Sequence, residues 1–345
     1  MKILLGLSGG VDSTYAALKL KNEGHTVEGA VVLMHEYTEV SVAEESAASL
    51  GIPLHVIDAR ADFDEIVKKN FVSEYCNART PNPCVICNSE VKFVKLLEYA
   101  EKNGFDMIAT GHYAGVVKTA YGNSVRYAVK RGADSKKDQT YMLWRLPQSV
   151  LEKLLLPLAD MKKNDIRDGS RAAGLAAADR GDSQEICFLP NGDYAAFIEG
   201  CAGEVKKGDF IDESGNVLGE HRGIIHYTVG QRRGLGISSS SRIFVTKIDP
   251  VSNTVTLSPN DSFANYVQVS GVVYSGIEPL YNGEEKKVSV KLRYAAKPVE
   301  AVVKFFGDKA QISLSESVRA VTPGQSAVFY DGDILIAGGF IDSAL

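Results

Sequence analysis

Apolar residues in the first part of the chain come as short, strongly apolar runs. They are Ile3-Leu4-Leu5, Val27 to Leu33, Leu54 to Ile57 and Met107 to Thr110. Between them the spacing changes to a helical one. Thr14 to Leu20, Val42 to Leu50 (closed by Gly51), Ala61 to Asn70 and Ser89 to Asn103 are the predicted helices. In the last of these Val91, Val94, Leu97 and Tyr99 share one face, and Gly104 ends it. Strands apolar on both sides and alternating with helices predict an α/β, Rossmann-like parallel sheet, with ligands at the strand C-terminal ends. Beyond Asn265 the period drops to two. Val288, Val290 and Leu292 alternate with Ser289, Lys291 and Arg293. Further runs at Ala301–Phe306, Gln311–Leu314, Ser326–Tyr330 and Ile334–Ile336 are separated by Gly307-Asp308, Pro323-Gly324 and Asp331-Gly332-Asp333, the pattern of a small β-barrel. A Gly-punctuated basic stretch, Gly223 to Ile237, lies between these regions. The expected division is a nucleotide-binding domain over 1–200, a small β-rich domain over 201–264 and a barrel over 265–345. Met142-Leu143-Trp144 and Ser170 to Ala178 read as short helical pieces, and Ser238 to Ser241 as a flexible run.

Composition changes this picture little. The 345 residues suit two or three domains, and no apolar run approaches a membrane span. The opening Met1-Lys2-Ile3 is not followed by the apolar core of a signal peptide, so a cytoplasmic, non-membrane protein is expected, and a monomer. A net charge of −5 excludes a uniformly basic nucleic-acid binder, so any RNA contact must be local. Five cysteines form no even disulfide framework and direct attention to thiol or metal chemistry.

The candidate chemistry begins directly after the first strand, at Gly6-Leu7-Ser8-Gly9-Gly10-Val11-Asp12-Ser13. A Gly-rich turn leading into a helix converges backbone N–H groups on an anion. Ser8 and Ser13 add hydroxyls. Asp12 is anomalous in a phosphate cradle unless a metal ion or another positive group offsets it. No Lys follows the glycines as in the common ATP loop. The string resembles instead the pyrophosphate loop of ATP pyrophosphatases, which cleave ATP between the α and β phosphates and adenylate a carbonyl oxygen.

A second constellation is Arg79-Thr80-Pro81-Asn82-Pro83-Cys84-Val85-Ile86-Cys87-Asn88, stiffened by its prolines. Cys87 is expected at the start of the Ser89 helix, where the dipole lowers a thiol pKa. Cys187 follows Asp182-Ser183-Gln184-Glu185-Ile186. Cys76 and Cys201 read as small packing residues.

In order, these motifs, with Ala109-Thr110-Gly111-His112-Tyr113 and Lys136-Lys137-Asp138-Gln139-Thr140-Tyr141, resemble the tRNA-specific 2-thiouridylase family across essentially the whole chain. That family converts the wobble uridine of certain tRNAs to 2-thiouridine. The resemblance implies ATP with Mg²⁺ as cofactor, Asp12 helping to place the ion, and tRNA and a sulfur donor (a cysteine desulfurase or persulfide relay protein) as partners. It implies Cys87 as nucleophile and Cys187 as persulfide carrier, the two joining in a disulfide. The segment Gly6 to Ser13 (Gly6, Leu7, Ser8, Gly9, Gly10, Val11, Asp12, Ser13), with Met34 and Gly111, matches ATP contacts. Asn82, Pro83, Cys84, His112, Lys137, Asp138, Gln139, Arg293, Tyr294 and Gln325 match positions that face tRNA; for His112 a nucleotide contact is equally open. Arg232 and Arg233 offer further phosphate donors.

One departure stands out: the family usually carries Asp where this chain has Cys84. Cys84, Cys87 and Cys187 together have the ligand count for three irons of a [4Fe–4S] cluster, so sulfide delivery from a cluster is an alternative to a persulfide. The chain also looks shortened after Glu36. Two other function classes remain open at this point: a pyrophosphate-loop amidotransferase or ligase, and a non-catalytic ATP-sensing RNA-binding protein.

Overall fold

A computed structural model describes residues 1–345 except 122–123, 182–185, 190, 204 and 239–241. Its organising layer is a five-stranded sheet in the order Leu54–Asp58, Thr26–Leu33, Lys2–Gly6, Met107–Thr110, Leu154–Leu155. Every pairing is parallel. The central strand shows why its apolar run is unbroken. Ile3 and Leu5 enter one buried cluster, whereas Leu4 enters another on the opposite face. Both clusters are roofed by helices, as a right-handed parallel sheet requires.

Helices largely follow the expected periodicity: Val11–Asn22, Val40–Leu50 and a run ending at Cys76. Gly51 closes the second in the left-handed region, at φ +60°. The helix expected to begin at Ser89 begins instead at Pro83. Four α-helical residues, Pro83–Ile86, pass into a π-helical turn, Cys87–Lys92, and then into Phe93–Lys102. Asn82 caps this start, its Oδ1 accepting the Cys84 N–H at 3.2 Å, and Pro83 takes the first helical position. Two further expectations need correction. Met142-Leu143-Trp144 is not helical beyond a single 3₁₀ turn over Thr140–Met142, because Trp144 and Tyr141 turn into the barrel instead. The helix read at Ser170 to Ala178 lies earlier, over Lys163–Ala172, and Gly174 follows it at φ +67°.

The region after 200 contains a four-stranded sheet built from Gly208–Ile211, Val217–His221, Phe244–Asp249 and Thr254–Ser258, with its own core of Phe210, Tyr227, Leu235, Val245, Val255 and Leu257. The basic stretch folds onto it: Tyr227 and Leu235 point inward, while Arg232 and Arg233 are exposed. Of the serine run, residues 239–241 lie outside the described residues. The C-terminal strands form the expected antiparallel barrel. Six strands close when Phe263–Tyr274 pairs with Ile334–Ala344, leaving no free edge within the ring. A hairpin of the first domain, Ala114–Tyr121 and Ser124–Arg131, extends the barrel's sheet at Lys130 opposite Ile334. Arg126 adds hydrogen bonds to the carbonyls of Tyr274 and Ser275.

Candidate active site

The strand ends Gly6, Leu33 and Thr110 open onto a cavity of about 540 Å³, a size suited to a nucleotide. Gly6, Leu7, Ser8, Asp12, Ser13, Met34 and Gly111 line it. Gly9 and Gly10 complete the loop, and Val11 begins the helix with its side chain in the core, so only its backbone faces the turn. Gly9 sits at φ +78°, and a Cβ there would lie 2.5 Å from the Val42 carbonyl oxygen. Gly111 is glycine for another reason: a Cβ would lie 2.8 Å from the backbone of Asp12 and Ser13. No side chain caps the helix at Gly10. Ser13 instead folds back, donating its hydroxyl to the Gly10 carbonyl at 3.1 Å and accepting the Ser8 N–H at 3.3 Å.

The Asp12 anomaly has a structural answer that sequence reading missed. Lys163, at the start of its helix and almost wholly buried, places Nζ 2.8 Å from both carboxylate oxygens, and the Tyr113 hydroxyl donates to Oδ1 at 2.5 Å. A positive group that offsets Asp12 in this structure is therefore a lysine. Nothing in the sequence near 163 announces this. Arg180 is a second unforeseen residue. It donates to the Gly9 carbonyl at 2.5 Å and pairs with Glu45, tying the chain before Cys187 to the phosphate loop.

The opposite wall carries His112, Gln139 and Lys92. Burial first, and then the Lys92 charge, pushes His112 down to about 3, so it is a neutral imidazole, with Nδ1 2.8 Å from Thr110 Oγ1. Gln139 Oε1 accepts the Tyr113 N–H at 2.9 Å, so this expected tRNA contact stands in the cavity wall. Met34 joins the two chemistries: it lines the cavity, and its Sδ lies 3.3 Å from Cys87 Sγ.

Cys87 is 6% exposed, in the second turn of its helix. Its thiol is pushed up to about 12, by burial above all, against a smaller opposing pull from Lys92. The expected lowering by a helix start is thus corrected: the helix begins four residues earlier, so Cys87 is inside it. Cys84 and Cys187 both reach solvent but lie deep in a cleft, and burial raises both thiols as well. Cys84 and Cys187 both raise the Cys87 thiol, Cys84 also raises that of Cys187, and Lys92 opposes burial at all three. Of the motif before Cys187, residues 182–185 lie outside the described residues. Among the described residues no three His, Cys, Asp or Glu side chains converge as metal ligands. The thiols as arranged do not fit the cluster.

The remaining expected positions lie along the junction with the barrel. Asn82 Nδ2 reaches Met142 Sδ at 3.2 Å. Asp138 is buried and accepts the Thr140 N–H at 3.0 Å, and Lys137 is half-buried beside it. Tyr294 is exposed, its phenol raised by burial and, among smaller effects, by the charges of Asp138 and Cys84. Gln325 donates to the Thr80 carbonyl at 2.8 Å. Arg293 is held by the Ala320 carbonyl and the Thr322 hydroxyl.

Comparison with known proteins agrees with this geometry. Residues 1–191 match the tRNA methyl transferase HUP domain model, 195–259 the corresponding PRC-barrel domain and 268–341 an aminomethyltransferase β-barrel domain. The tRNA-specific 2-thiouridylase of Clostridioides difficile is 39% identical over 360 residues, covering 100% of this chain and 99% of that protein. That of Clostridium acetobutylicum is 41% identical over 357 residues, covering 99% of each. Among solved structures, a 4-thiouridine synthetase–RNA complex with bound ATP aligns with 58% of this chain and 50% of that one, at 16% identity and a TM-score of 0.37. Full-length identity at this level, together with the motifs above, places the chain in the tRNA-specific 2-thiouridylase family.

Proposed function

We propose that this protein is an ATP-dependent tRNA sulfurtransferase that converts the wobble uridine of certain tRNAs to 2-thiouridine. The observation that carries the reading is one shared wall: Met34 faces the nucleotide cavity and touches Cys87, which lies in the field of Cys187. Activation and sulfur delivery are adjacent.

ATP, with Mg²⁺ as part of the substrate complex, lies against the Gly6–Ser13 turn. The free N–H groups at the start of the helix Val11–Asn22 receive its phosphates. The uridine leaves its stack and enters from the cleft beside Asn82-Pro83-Cys84. Its C2 oxygen attacks the α phosphate and pyrophosphate leaves. The terminal sulfur of a persulfide on Cys187 then attacks C2 and AMP departs. Cys87 attacks Cys187 Sγ, the modified base is released, and a Cys87–Cys187 disulfide remains. Lys92 favours the anionic sulfurs, and neutral His112 can donate or accept a hydrogen bond without adding charge. Lys137, Asp138, Gln139, Arg293, Tyr294 and Gln325 belong to or border the tRNA-facing junction. The proposed setting is the cytoplasm, with a cysteine desulfurase or persulfide relay protein as donor; among the described residues no helix is long and apolar enough to cross a membrane.

The test is incubation with unmodified tRNA, ATP and a persulfide source, followed by nucleoside mass spectrometry. The expected product is 2-thiouridine, with AMP and pyrophosphate released only when tRNA is present. Full activity of Cys187→Ser would overturn sulfur transfer through that residue.

A further inference from the structure

We propose that Cys84 is the resolving thiol of this site: after sulfur transfer it attacks Cys87 Sγ in the Cys87–Cys187 disulfide and returns Cys187 to its thiol form. The inference rests on the persulfide reading above and adds a step to it.

The geometry is that of a dithiol at a helix start. Cys84 is the second residue of the helix that opens at Pro83, and Cys87 the fifth. Residues three apart are neighbours on one helix face; their Cα atoms fall within the span a disulfide bridges, and their Cβ atoms, about 5–6 Å apart, must close by about 1–2 Å for the bond to form. The two differ in access. Cys84 and Cys187 reach solvent from the cleft, whereas Cys87 is buried. A small reductant or partner thiol meets Cys84 and Cys187 first; Cys87 is reached most directly from within the protein. Cys84 also lies in the first turn, where helix N–H groups oppose the burial that raises its thiol, while Cys87 lies beyond it. Asn82 caps that turn, accepting the Cys84 N–H at 3.2 Å. Cys87 lies in the field of both Cys84 and Cys187, which places the three sulfurs near one another, and the cavity-lining Lys92 partly offsets the burial that raises each thiol.

The step balances without an oxidant. The Cys84 thiolate forms a bond to Cys87 Sγ, and the Cys87–Cys187 bond breaks. The electron pair leaves on Cys187 Sγ, which takes up a proton, and the number of disulfides is unchanged. A two-electron thiol reductant then opens the Cys84–Cys87 disulfide. Cys187 is thereby free to accept the next persulfide before that reduction occurs. Persulfide donor and reductant act on different sulfurs and do not compete for Cys187.

The test uses the full-length protein carrying a persulfide on Cys187, with one equivalent of tRNA, ATP and no added reductant. The reaction is quenched with an alkylating agent, and tRNA nucleosides and protein disulfides are mapped in the same sample. The expected result is 2-thiouridine together with a Cys84–Cys87 disulfide and an alkylated Cys187. If 2-thiouridine forms while Cys87–Cys187 persists and Cys84 is alkylated, the resolving role is overturned and the sulfur-transfer reading stands. If no 2-thiouridine forms, both fall. In Cys84→Ser, release of Cys187 from its disulfide without reductant should slow by about tenfold or more; release at the parent rate overturns the proposal. So does iron bound by the three thiols after anaerobic purification.

Discussion

Two side chains carry most of the site's electrostatic logic, and each makes a measurable claim. Cys87 is a thiol held protonated by burial, with its pKa pushed up to about 12. Reactivity follows thiolate fraction. Its alkylation, followed by peptide mass spectrometry, is therefore expected to be very slow at pH 8 and to rise about tenfold per pH unit toward that value, whereas an ordinary thiol, with a pKa of about 8.5, levels off about one unit above it. A plateau at pH 9 would contradict the burial argument. Lys163 neutralises Asp12 beside the phosphate loop. In Lys163→Met the aspartate faces incoming phosphates unpaired, so ATP binding measured by calorimetry is expected to weaken by about tenfold or more, equivalent to about 1.4 kcal/mol. The double variant Lys163→Met with Asp12→Asn should recover part of that loss. Asp12 was visible in the sequence as an anomaly, but its partner was not, because no local pattern links positions 12 and 163.

At the level of elements, backbone packs closely on backbone where the strand Met107–Thr110 runs past the helix Val11–Asn22. Gly111 has its α-hydrogen against the Asp12–Ser13 backbone. Gly111→Ala places a Cβ 2.8 Å from backbone atoms, which cannot yield as a flexible side chain would. The expected cost is about 1–3 kcal/mol of stability by chemical denaturation, with loss of ATP binding. Much of this layer was legible in the sequence, because a strand buried on both faces leaves an unbroken apolar run, as at Ile3-Leu4-Leu5. The helix carrying Cys84 and Cys87 was legible only from Ser89 onward. Its opening residues Pro83 to Ile86 read as a rigid loop, since two prolines and two cysteines mask helical periodicity. The signal that does mark it is Asn82 followed by Pro83, an N-cap and a first-turn proline. Placing Cys87 at a helix start led to an expected lowering of its pKa, whereas burial inside the helix raises it. The barrel strands were visible through alternation, but the Lys163–Ala172 helix was not. Its apolar content is sparse: Ile166 is its one buried aliphatic side chain.

Over the whole molecule, the first domain and the barrel form one continuous structure. Thr80 accepts from Gln325, Arg79 from the first domain donates to the Ile341 carbonyl, and Tyr141 and Trp144 bond to Ser326. Trp144, the only tryptophan of the sequence, is fully buried at this junction. A Cβ on Gly338 would lie 2.7 Å from its ring. Gly338→Ala is therefore expected to cost about 1–3 kcal/mol and to shift tryptophan emission to longer wavelength as the indole meets water. Unchanged emission would show that the junction can repack.

The hairpin Ala114–Arg131 has a consequence for how the chain is made. Its outer partner strand, beginning at Ile334, leaves the ribosome roughly two hundred residues later. Until then one hairpin edge stays open to water and to other chains, and the first domain must wait for a strand made much later than itself.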